Sequence, residues 1–312
     1  MKKIAFIFPG QGAQTVGMGK DFAEKYPAAK ETFEEADDTL RRNLSSIIWD
    51  GPIDLLTETK NSQTGIYVTS IALLRVLKSL FPNVLPYCCG GLSLGEYSAL
   101  TAAGRLAFQE GLPLVEKRGQ YMNDACLASK GSMAVVMGLE ANQVEELVRE
   151  ADLPHDLWVA NLNCPGQVVI SGTLKGIELG SERAKAKGAK RVLPLQVFGA
   201  FHSGLMQPAK ERLKSDILST QFKDSSVRIA MNTTGSFVDD AASIQKNLIE
   251  QVVSPVRWEQ DIRTMDKEGV TLYIEIGCGK TLSGMNKRIG VQGETLSLEK
   301  IEDLEAIAEV LT

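Results

Sequence analysis

A serine flanked by glycines, in Gly91-Leu92-Ser93-Leu94-Gly95, is the strongest candidate for chemistry in this chain. The apolar run 85–90 precedes it, and residues 96–103, which Gly104 follows, have the composition of a helix. Strand, G-x-S-x-G and helix form a nucleophile elbow, whose strained turn holds the serine oxygen clear of the backbone. Glycine is needed on both sides because a side chain there would collide with the neighbouring strand or helix. The pattern predicts a nucleophilic Ser93; the alternative is a glycine-rich turn with an inert serine.

A nucleophilic serine needs a base with a pKa near 7 within hydrogen-bond reach, and histidine is the usual choice. The chain contains two histidines. His155 lies in a polar turn with acidic neighbours, so we interpret it as a solvated surface residue. His202 lies in a loop between a predicted strand and a predicted helix, where catalytic groups are often found. We therefore predict His202 as the base; the alternative is a histidine without a role at the start of a helix.

The tetrahedral intermediate of acyl transfer needs preorganised N–H donors for its oxyanion. The backbone N–H of Leu94, directly after the nucleophile, is one such donor. The natural source of a second is Phe8-Pro9-Gly10-Gln11-Gly12-Ala13-Gln14, since its glycines let the backbone approach a ligand closely. This segment is not a dinucleotide fingerprint, because Thr15 stands where G-x-G-x-x-G requires its third glycine.

A charged residue, Arg118, falls on the apolar stripe of the helix that we predict over residues 111–125. Val115, Met122 and Ala125 form the rest of that stripe. A charge on an inward face is costly unless it is paired. Two interpretations stay open: an ion pair with an acid of the fold, or a bidentate clamp for a substrate carboxylate.

These candidate residues lie on or between apolar strand-like runs that alternate with amphipathic helical segments. Strands are predicted over residues 3–8, 85–90, 133–139, 158–163, 167–172, 191–197, 227–232 and 271–277. The first two and the last two lie either side of long helical stretches. This order predicts an α/β core with a mostly parallel sheet, similar to that of α/β-hydrolases.

The middle of the chain follows a different order. From residue 133 to residue 197 it is strand, helix, strand, strand, helix, strand, which is the ferredoxin-like signature. Lys130-Gly131 and Phe198-Gly199-Ala200 would be the crossing points. We predict a catalytic core of residues 1–130 and 199–312 and an inserted small subdomain of residues 131–198, with a ligand cleft between them.

Composition excludes several functional classes. The chain is 44% hydrophobic and 23% charged, as expected of a globular protein with a full core. Its apolar runs are far shorter than the ~20 residues that cross a bilayer, and a net charge of −5 argues against general nucleic-acid binding. Five cysteines without C-x-x-C spacing argue against a disulfide framework or a zinc site. We expect a cytoplasmic protein that binds neither nucleic acid nor membrane.

Seven short motifs follow one another along the chain. They are Phe8-Pro9-Gly10-Gln11-Gly12, GLSLGEYSAL at 91–100, Glu116-Lys117-Arg118-Gly119, NCPGQVVISG at 163–172, Phe201-His202-Ser203, Ser254-Pro255-Val256-Arg257-Trp258 and Glu275-Ile276-Gly277. Together they resemble the malonyl-CoA:acyl-carrier-protein transacylases of bacterial type II fatty-acid synthesis, and the resemblance covers nearly the whole chain. Seven motifs in this order are far more specific than any one of them.

The resemblance implies a two-step, ping-pong acyl transfer. Ser93 would attack the malonyl thioester while His202 takes its proton. The backbone N–H groups of Gln11 and Leu94 would hold the oxyanion, and Arg118 would pair with the free malonyl carboxylate. The phosphopantetheine thiol of acyl carrier protein would then collect the acyl group, with His202 again as the base.

The resemblance also implies roles for three further residues. A backbone carbonyl near Gln251, rather than an aspartate, would orient the catalytic histidine. Asn163 would line the pocket, and the bulk of Phe201 would oppose an α-methyl branch on the acyl group. The partners implied are malonyl-CoA and acyl carrier protein, with no cofactor and no metal, and we expect a monomer.

Two residues depart from the family pattern. Leu92 stands where these enzymes usually have a histidine, and Cys278 replaces the proline of a Gly-Pro-Gly turn. Since the residue at 92 is not the base, we expect activity to survive. Two alternatives stay open: a carboxylesterase or thioesterase of the α/β-hydrolase type, which would have no use for Arg118, and a non-catalytic docking module for carrier proteins.

Overall fold

The computed structural model describes residues 2–197 and 199–311. Their strands are β1 (Ile4–Phe8), β2 (Cys88–Gly91), β3 (Gly131–Met137), β4 (Leu157–Cys164), β5 (Gln167–Thr173), β6 (Arg191–Pro194), β7 (Arg228–Met231), β8 (Ser236–Val238), β9 (Leu272–Ile276) and β10 (Glu294–Leu298). Phe198, at the second predicted crossing point, lies outside the described residues, as do Met1 and Thr312.

Helices connect and cover these strands. They are α1 (Lys20–Lys25), α2 (Pro27–Leu40), α3 (Leu44–Asp50), α4 (Ile53–Thr57), α5 (Thr59–Leu80), α6 (Gly95–Ala102), α7 (Phe108–Ala128), α8 (Ala141–Ala151), α9 (Leu174–Ala186), α10 (Gln207–Ser219), α11 (Ala241–Gln251), α12 (Trp258–Lys267), α13 (Thr281–Ile289) and α14 (Asp303–Leu311), with a 3₁₀ turn at Gly204–Met206. None of the helices in the described ranges is both long and apolar enough to span a membrane.

The larger sheet has the strand order β10-β9-β1-β2-β7-β8 and is parallel except for the last pair. All five residues of β1 are buried, as expected of a parallel strand that is covered on both faces. Phe8 pairs with Gly91 at the carboxyl ends of β1 and β2. The loop after β1 and the turn after β2 therefore lie side by side, at the edge where open α/β sheets bind ligands.

The second sheet is antiparallel and has the order β4-β5-β3-β6. Successive side chains along each of its strands point to opposite faces of the sheet. Ala134 and Val136 pack with Val144 of α8 in a small hydrophobic core, while Met133 and Val135 face the cavities described below. The predicted fold class, a mostly parallel α/β core with a ferredoxin-like second sheet, is confirmed.

Two strands are absent from the sequence prediction: β8, which has three residues, and β10, which is largely half-buried. Both lie at the edges of the larger sheet, where apolar patterning is weak. The domain bounds stay a prediction. The strands of the second sheet all lie between residues 131 and 194, and a bridge from Asn161 to Val256 joins β4 to the segment before α12.

Candidate active site

Ser93 occupies the sharp turn between β2 and α6, with a φ of 53°. A residue with a side chain is strained in this left-handed region, so the contacts around Ser93 must hold it there. The flanking glycines allow it. A Cβ on Gly91 would lie 1.9 Å from the Gly95 carbonyl carbon, and a Cβ on Gly95 would lie 2.2 Å from the Phe8 carbonyl oxygen. The elbow predicted from the sequence is therefore present, with β1, β2 and α6 in direct backbone contact.

His202 lies against Ser93, and a hydrogen bond of 2.8 Å joins its Nε2 to Ser93 Oγ. On the other side of the ring, Nδ1 lies 2.9 Å from the carbonyl oxygen of Gln251, at the end of α11. A carbonyl can only accept, so Nδ1 carries the proton and Nε2 has the free lone pair. The serine hydroxyl thus donates to His202, which is the geometry of a nucleophile and its base.

Burial keeps the imidazole neutral. His202 is only 4% exposed, and its burial together with the nearby Arg118 cation lowers its pKa to about 4. Hydrogen bonds with the backbone of Gln251 and Ser254 act in the opposite direction and are weaker. At neutral pH the ring is therefore unprotonated and able to accept a proton.

Arg118, on α7, is buried beside the same serine. Its Nη2 donates to Ser93 Oγ at 3.1 Å and to Gln251 Oε1 at 2.8 Å, and its Nη1 donates to Gln63 Oε1. Burial lowers its pKa, and its Nε–H has no hydrogen-bond partner in the described part of the chain. Within the same residues no carboxylate lies within ion-pair distance of Arg118, so the structure gives no support to the ion-pair interpretation.

Two glutamines and an asparagine complete the surroundings of the serine. The Ser93 backbone N–H donates to Asn232 Oδ1 at 2.7 Å, and the Ser93 carbonyl accepts from Gln251 Nε2 at 2.8 Å. Asn232 follows β7, and Gln63 lies on the buried face of α5. The sequence analysis missed Gln63 and Asn232. The signal for Asn232 was its place at the end of the predicted strand 227–232, beside the strand that leads to the elbow.

The predicted oxyanion donors lie at adjacent loops. Leu94 caps the start of α6, and Gln11 lies in the loop after β1. Among the described residues, neither backbone N–H donates to another protein group. The Gln11 side chain is tied to α5, since its Nε2 donates to Thr59 Oγ1 at 3.5 Å and its Oε1 accepts from Gln63 Nε2 at 3.4 Å. Both N–H groups are therefore free for a ligand.

Two neighbouring cavities lie at this site, and Ser93 lines the inner one. The inner cavity, of about 100 Å³, is lined by Ser93, His202 and Phe201 and by apolar side chains that include Met122 and Met133. The outer cavity, of about 250 Å³, is lined by the loop after β1, the second sheet and α13. Gln11, Leu92, Asn161 and Leu195 line both cavities.

The remaining predicted residues have distinct positions. Asn163 lines the outer cavity rather than the space beside Ser93, and Asn161, two residues earlier on β4, reaches both. The Leu92 side chain is an apolar part of the lining of both cavities. The described residues contain no group of three or more His, Cys, Asp or Glu side chains placed to hold a metal ion.

Comparison with known proteins agrees with this geometry. The sequence model of the family described as "Acyl transferase domain" matches residues 5–292. The malonyl CoA-acyl carrier protein transacylase of Bacillus subtilis (strain 168) is 46% identical over 312 residues, which cover 100% of this chain and 98% of that protein. The protein of the same name from Haemophilus influenzae is 37% identical over 311 residues, which cover 100% of both chains.

Solved structures give the same result. The acyl carrier protein S-malonyltransferase from Vibrio cholerae superimposes with a TM-score of 0.93 at 37% identity, covering 98% of this chain and 99% of that one. A malonyl-transacylase in complex with a type II PKS acyl-carrier protein superimposes with a TM-score of 0.94 at 33% identity, covering 99% of each chain.

Proposed function

Because the chain belongs to the acyl transferase domain family, we propose that it is an acyltransferase that moves the malonyl group from malonyl-CoA to acyl carrier protein. The group passes through an ester on Ser93 to the phosphopantetheine thiol of the carrier and so supplies fatty-acid elongation. The observation that carries this proposal is the buried Arg118 guanidinium, 3.1 Å from the oxygen of a serine that is hydrogen-bonded to a histidine. A cation at that place suits an acyl group that ends in a carboxylate.

In the first half-reaction Ser93 Oγ attacks the thioester carbonyl of malonyl-CoA, and its proton passes to His202 Nε2. The Gln251 carbonyl holds the Nδ1–H and keeps the ring aligned as its charge develops. The N–H groups of Gln11 and Leu94 stabilise the oxyanion. When the intermediate collapses, the bond to sulfur breaks, and the coenzyme A thiolate leaves with the proton from His202.

The second half-reaction reverses the roles. The carrier's phosphopantetheine thiol gives its proton to His202 Nε2, and its sulfur attacks the ester carbonyl on Ser93. Collapse of that intermediate returns the proton to Ser93 Oγ and releases the malonyl thioester. One thioester is exchanged for another, so the proposed chemistry calls for no cofactor.

Arg118 has the role of selecting the acyl group. Its two Nη atoms hold glutamine oxygens and the serine oxygen, which are neutral acceptors that a carboxylate can replace. The unpartnered Nε–H is a further donor. At a guanidinium this deeply buried, the charge pairing favours malonyl over uncharged acyl groups. Phe201 and the two methionines of the inner cavity leave little room for an α-methyl branch.

The test is intact-protein mass spectrometry after brief mixing with malonyl-CoA, acetyl-CoA or methylmalonyl-CoA. We expect one malonyl adduct on the wild type, weak adducts with the other donors and none on Ser93→Ala. Ser98→Ala is the matched control, because Ser98 is a nearby serine, buried on α6, whose hydroxyl has no hydrogen-bond partner among the described residues. Arg118→Ala should lose the malonyl adduct and keep, or increase, the acetyl adduct.

The alternatives give different results. A carboxylesterase or thioesterase would release free coenzyme A continuously without accumulating an adduct, and Arg118→Ala would leave its rate with malonyl-CoA unchanged. A docking module would form no adduct and release no coenzyme A. Its Ser93→Ala variant would bind acyl carrier protein as well as the wild type does. Full malonyl activity in Arg118→Ala would refute the clamp.

A further inference from the structure

A buried carboxyl group, Glu96, lies beneath the Ser93 turn and has no part in the steps above. It is on α6, three residues after the nucleophile, and it is fully buried. Both of its oxygens face N–H donors: Oε1 accepts from the backbone N–H of Asn232, and Oε2 accepts from Gln251 Nε2 at 2.5 Å. A group that accepts on both oxygens is matched to a carboxylate rather than to an amide.

The side chain of Gln251 links Glu96 to Arg118. Its Oε1 accepts from Arg118 Nη2 at 2.8 Å, while its Nε2 donates to Glu96 and to the carbonyl of Ser93. A guanidinium only donates, so the oxygen of the amide must face Arg118. The NH₂ end must then meet acceptors, and the Glu96 carboxylate is one of the two. Glu96 and the Ser93 carbonyl therefore fix the NH₂ end of Gln251, while Arg118 fixes its oxygen.

Burial raises the pKa of Glu96 to about 8, while the N–H donors of Asn232 and Gln251 and the nearby Arg118 cation act in the opposite direction. Because both of its oxygens accept from N–H groups, the hydrogen-bond geometry fits the ionised carboxylate. No carboxylate of the described residues lies within ion-pair distance of Arg118, so Glu96 acts on it across one amide group, that of Gln251. A second buried carboxyl, Asp261, belongs to the same network but lies on its far side. Asp261 Oδ2 accepts from Asn232 Nδ2 at 2.8 Å, so it contacts the support of the serine turn and not Gln251.

We propose that Glu96 is a positioning residue that, through the Gln251 amide, holds the Arg118 guanidinium where it receives the free carboxylate of the acyl donor. Glu96 thereby sets the preference for a malonyl group over an uncharged acyl group. This inference rests on the proposed function. Without a carboxylate at position 96 the NH₂ end of Gln251 keeps only the Ser93 carbonyl as an acceptor, so the amide and the oxygen that holds Arg118 Nη2 are less firmly fixed.

The deciding variant is Glu96→Gln, which keeps the side-chain volume but places an NH₂ group against one of two N–H donors. Acyl-enzyme formation is measured by rapid quench and intact mass at subsaturating donor, with malonyl-CoA and with acetyl-CoA. We expect kcat/KM for malonyl-CoA to fall by about 10- to 100-fold, as for the loss of a charged hydrogen bond, and kcat/KM for acetyl-CoA to change by less than about threefold. The acetyl rate in the same variant reports whether the fold and the serine are intact.

Asp261→Asn is the matched control, since it also removes a buried carboxyl group from this network. Asp261→Asn should change kcat/KM for both donors by the same factor, so the malonyl-to-acetyl ratio of kcat/KM should stay as in the wild type. Glu96→Asp retains a carboxylate on a stem one methylene shorter, so its ratio should lie between those of the wild type and Glu96→Gln. If Glu96→Gln does not fold, a lowered ratio in Glu96→Asp supports the proposal and an unchanged ratio overturns it.

An equal loss with both donors in Glu96→Gln would show a merely structural role and overturn the proposal, as would a ratio unchanged from the wild type. A wild type that forms no malonyl adduct would instead refute the proposed function. The two failures are therefore distinguishable.

Discussion

At the scale of single residues, the histidine beside Ser93 is oriented by a neutral group. The acceptor of its Nδ1–H is the backbone carbonyl of Gln251, at 2.9 Å, and not a carboxylate. A carbonyl fixes the ring but offsets less of the charge that an imidazolium carries. Burial and the neighbouring Arg118 cation then dominate, and they lower the pKa of His202 to about 4.

The pH dependence of acylation tests this balance. A base must be unprotonated to act, and protonation of His202 begins only as the pH approaches about 4, below the ordinary value of 6.5. We expect kcat/KM for acyl-enzyme formation to stay level through pH 6.5 and to fall in acid only well below it. In Arg118→Ala, followed with acetyl-CoA, the fall should move to higher pH, because one cause of the low pKa has gone. A fall centred at 6.5 in the wild type would contradict a buried, neutral histidine.

At the scale of elements, the contact of α6 with β1 positions the elbow. Gly95 begins α6, and its missing side chain lets the helix meet the backbone of Phe8. The same approach places the free N–H of Leu94 beside the loop that carries Gln11. The geometry of the oxyanion donors thus depends on how closely one helix packs on one strand.

A pair of glycine substitutions tests the packing. In Gly95→Ala the new Cβ would lie 2.2 Å from the Phe8 oxygen and 2.9 Å from its carbonyl carbon, and backbone atoms cannot rotate away. We expect the free energy of unfolding to fall by about 1–3 kcal/mol, with loss of acylation. Gly284→Ala in α13 meets nothing within 4 Å and should raise the free energy of unfolding by up to about 1 kcal/mol. Urea denaturation measures both, and similar values for the two variants would refute the packing argument.

At the scale of the whole molecule, one buried interior extends from the parallel sheet to the layer of α5 and α7. Tyr67 of α5 stacks on Phe108 of α7 with ring centres 5.6 Å apart, and the two helices hold Gln63 and Arg118 in contact. The second sheet closes the cavities from the other side. Of the five buried, unpaired cysteines, Cys89, Cys126 and Cys278 lie in this interior, and Cys88 and Cys164 lie in a second hydrophobic cluster.

Thiol labelling tests whether the interior opens as one unit. Burial raises the pKa values of Cys88, Cys126 and Cys278 to about 12, and it raises those of Cys89 and Cys164 as well. The reactive thiolate is therefore scarce, and the sulfur atoms are covered. We expect an aromatic disulfide reagent to label none of the five thiols rapidly in the native protein and all five in denaturant. Rapid labelling of one native thiol would show a local opening that the packing does not predict.

Features that depend on near neighbours in the chain could be predicted from the amino-acid sequence alone. The strand, turn and helix around Ser93 are encoded within about twenty consecutive residues. The order of strands and helices around the second sheet is likewise predicted by its apolar runs. His202 could be chosen because the chain has only one other histidine. The edge strands β8 and β10 were missed because short, partly exposed strands lack a clear apolar pattern.

Contacts between distant polar groups, in contrast, could not be predicted and follow from the assembled fold. Ser93 and His202 are 109 positions apart, and Ser93 and Gln251 are 158 apart. Nothing in the local pattern of Glu96 distinguished it from a solvated charge near the start of a helix. Its burial follows from the strand order, which brings β7 and the end of α11 against α6. Hydrophobic periodicity predicts the buried face of each element but not the neighbour that covers it. These contacts could therefore be identified only from the assembled sheet.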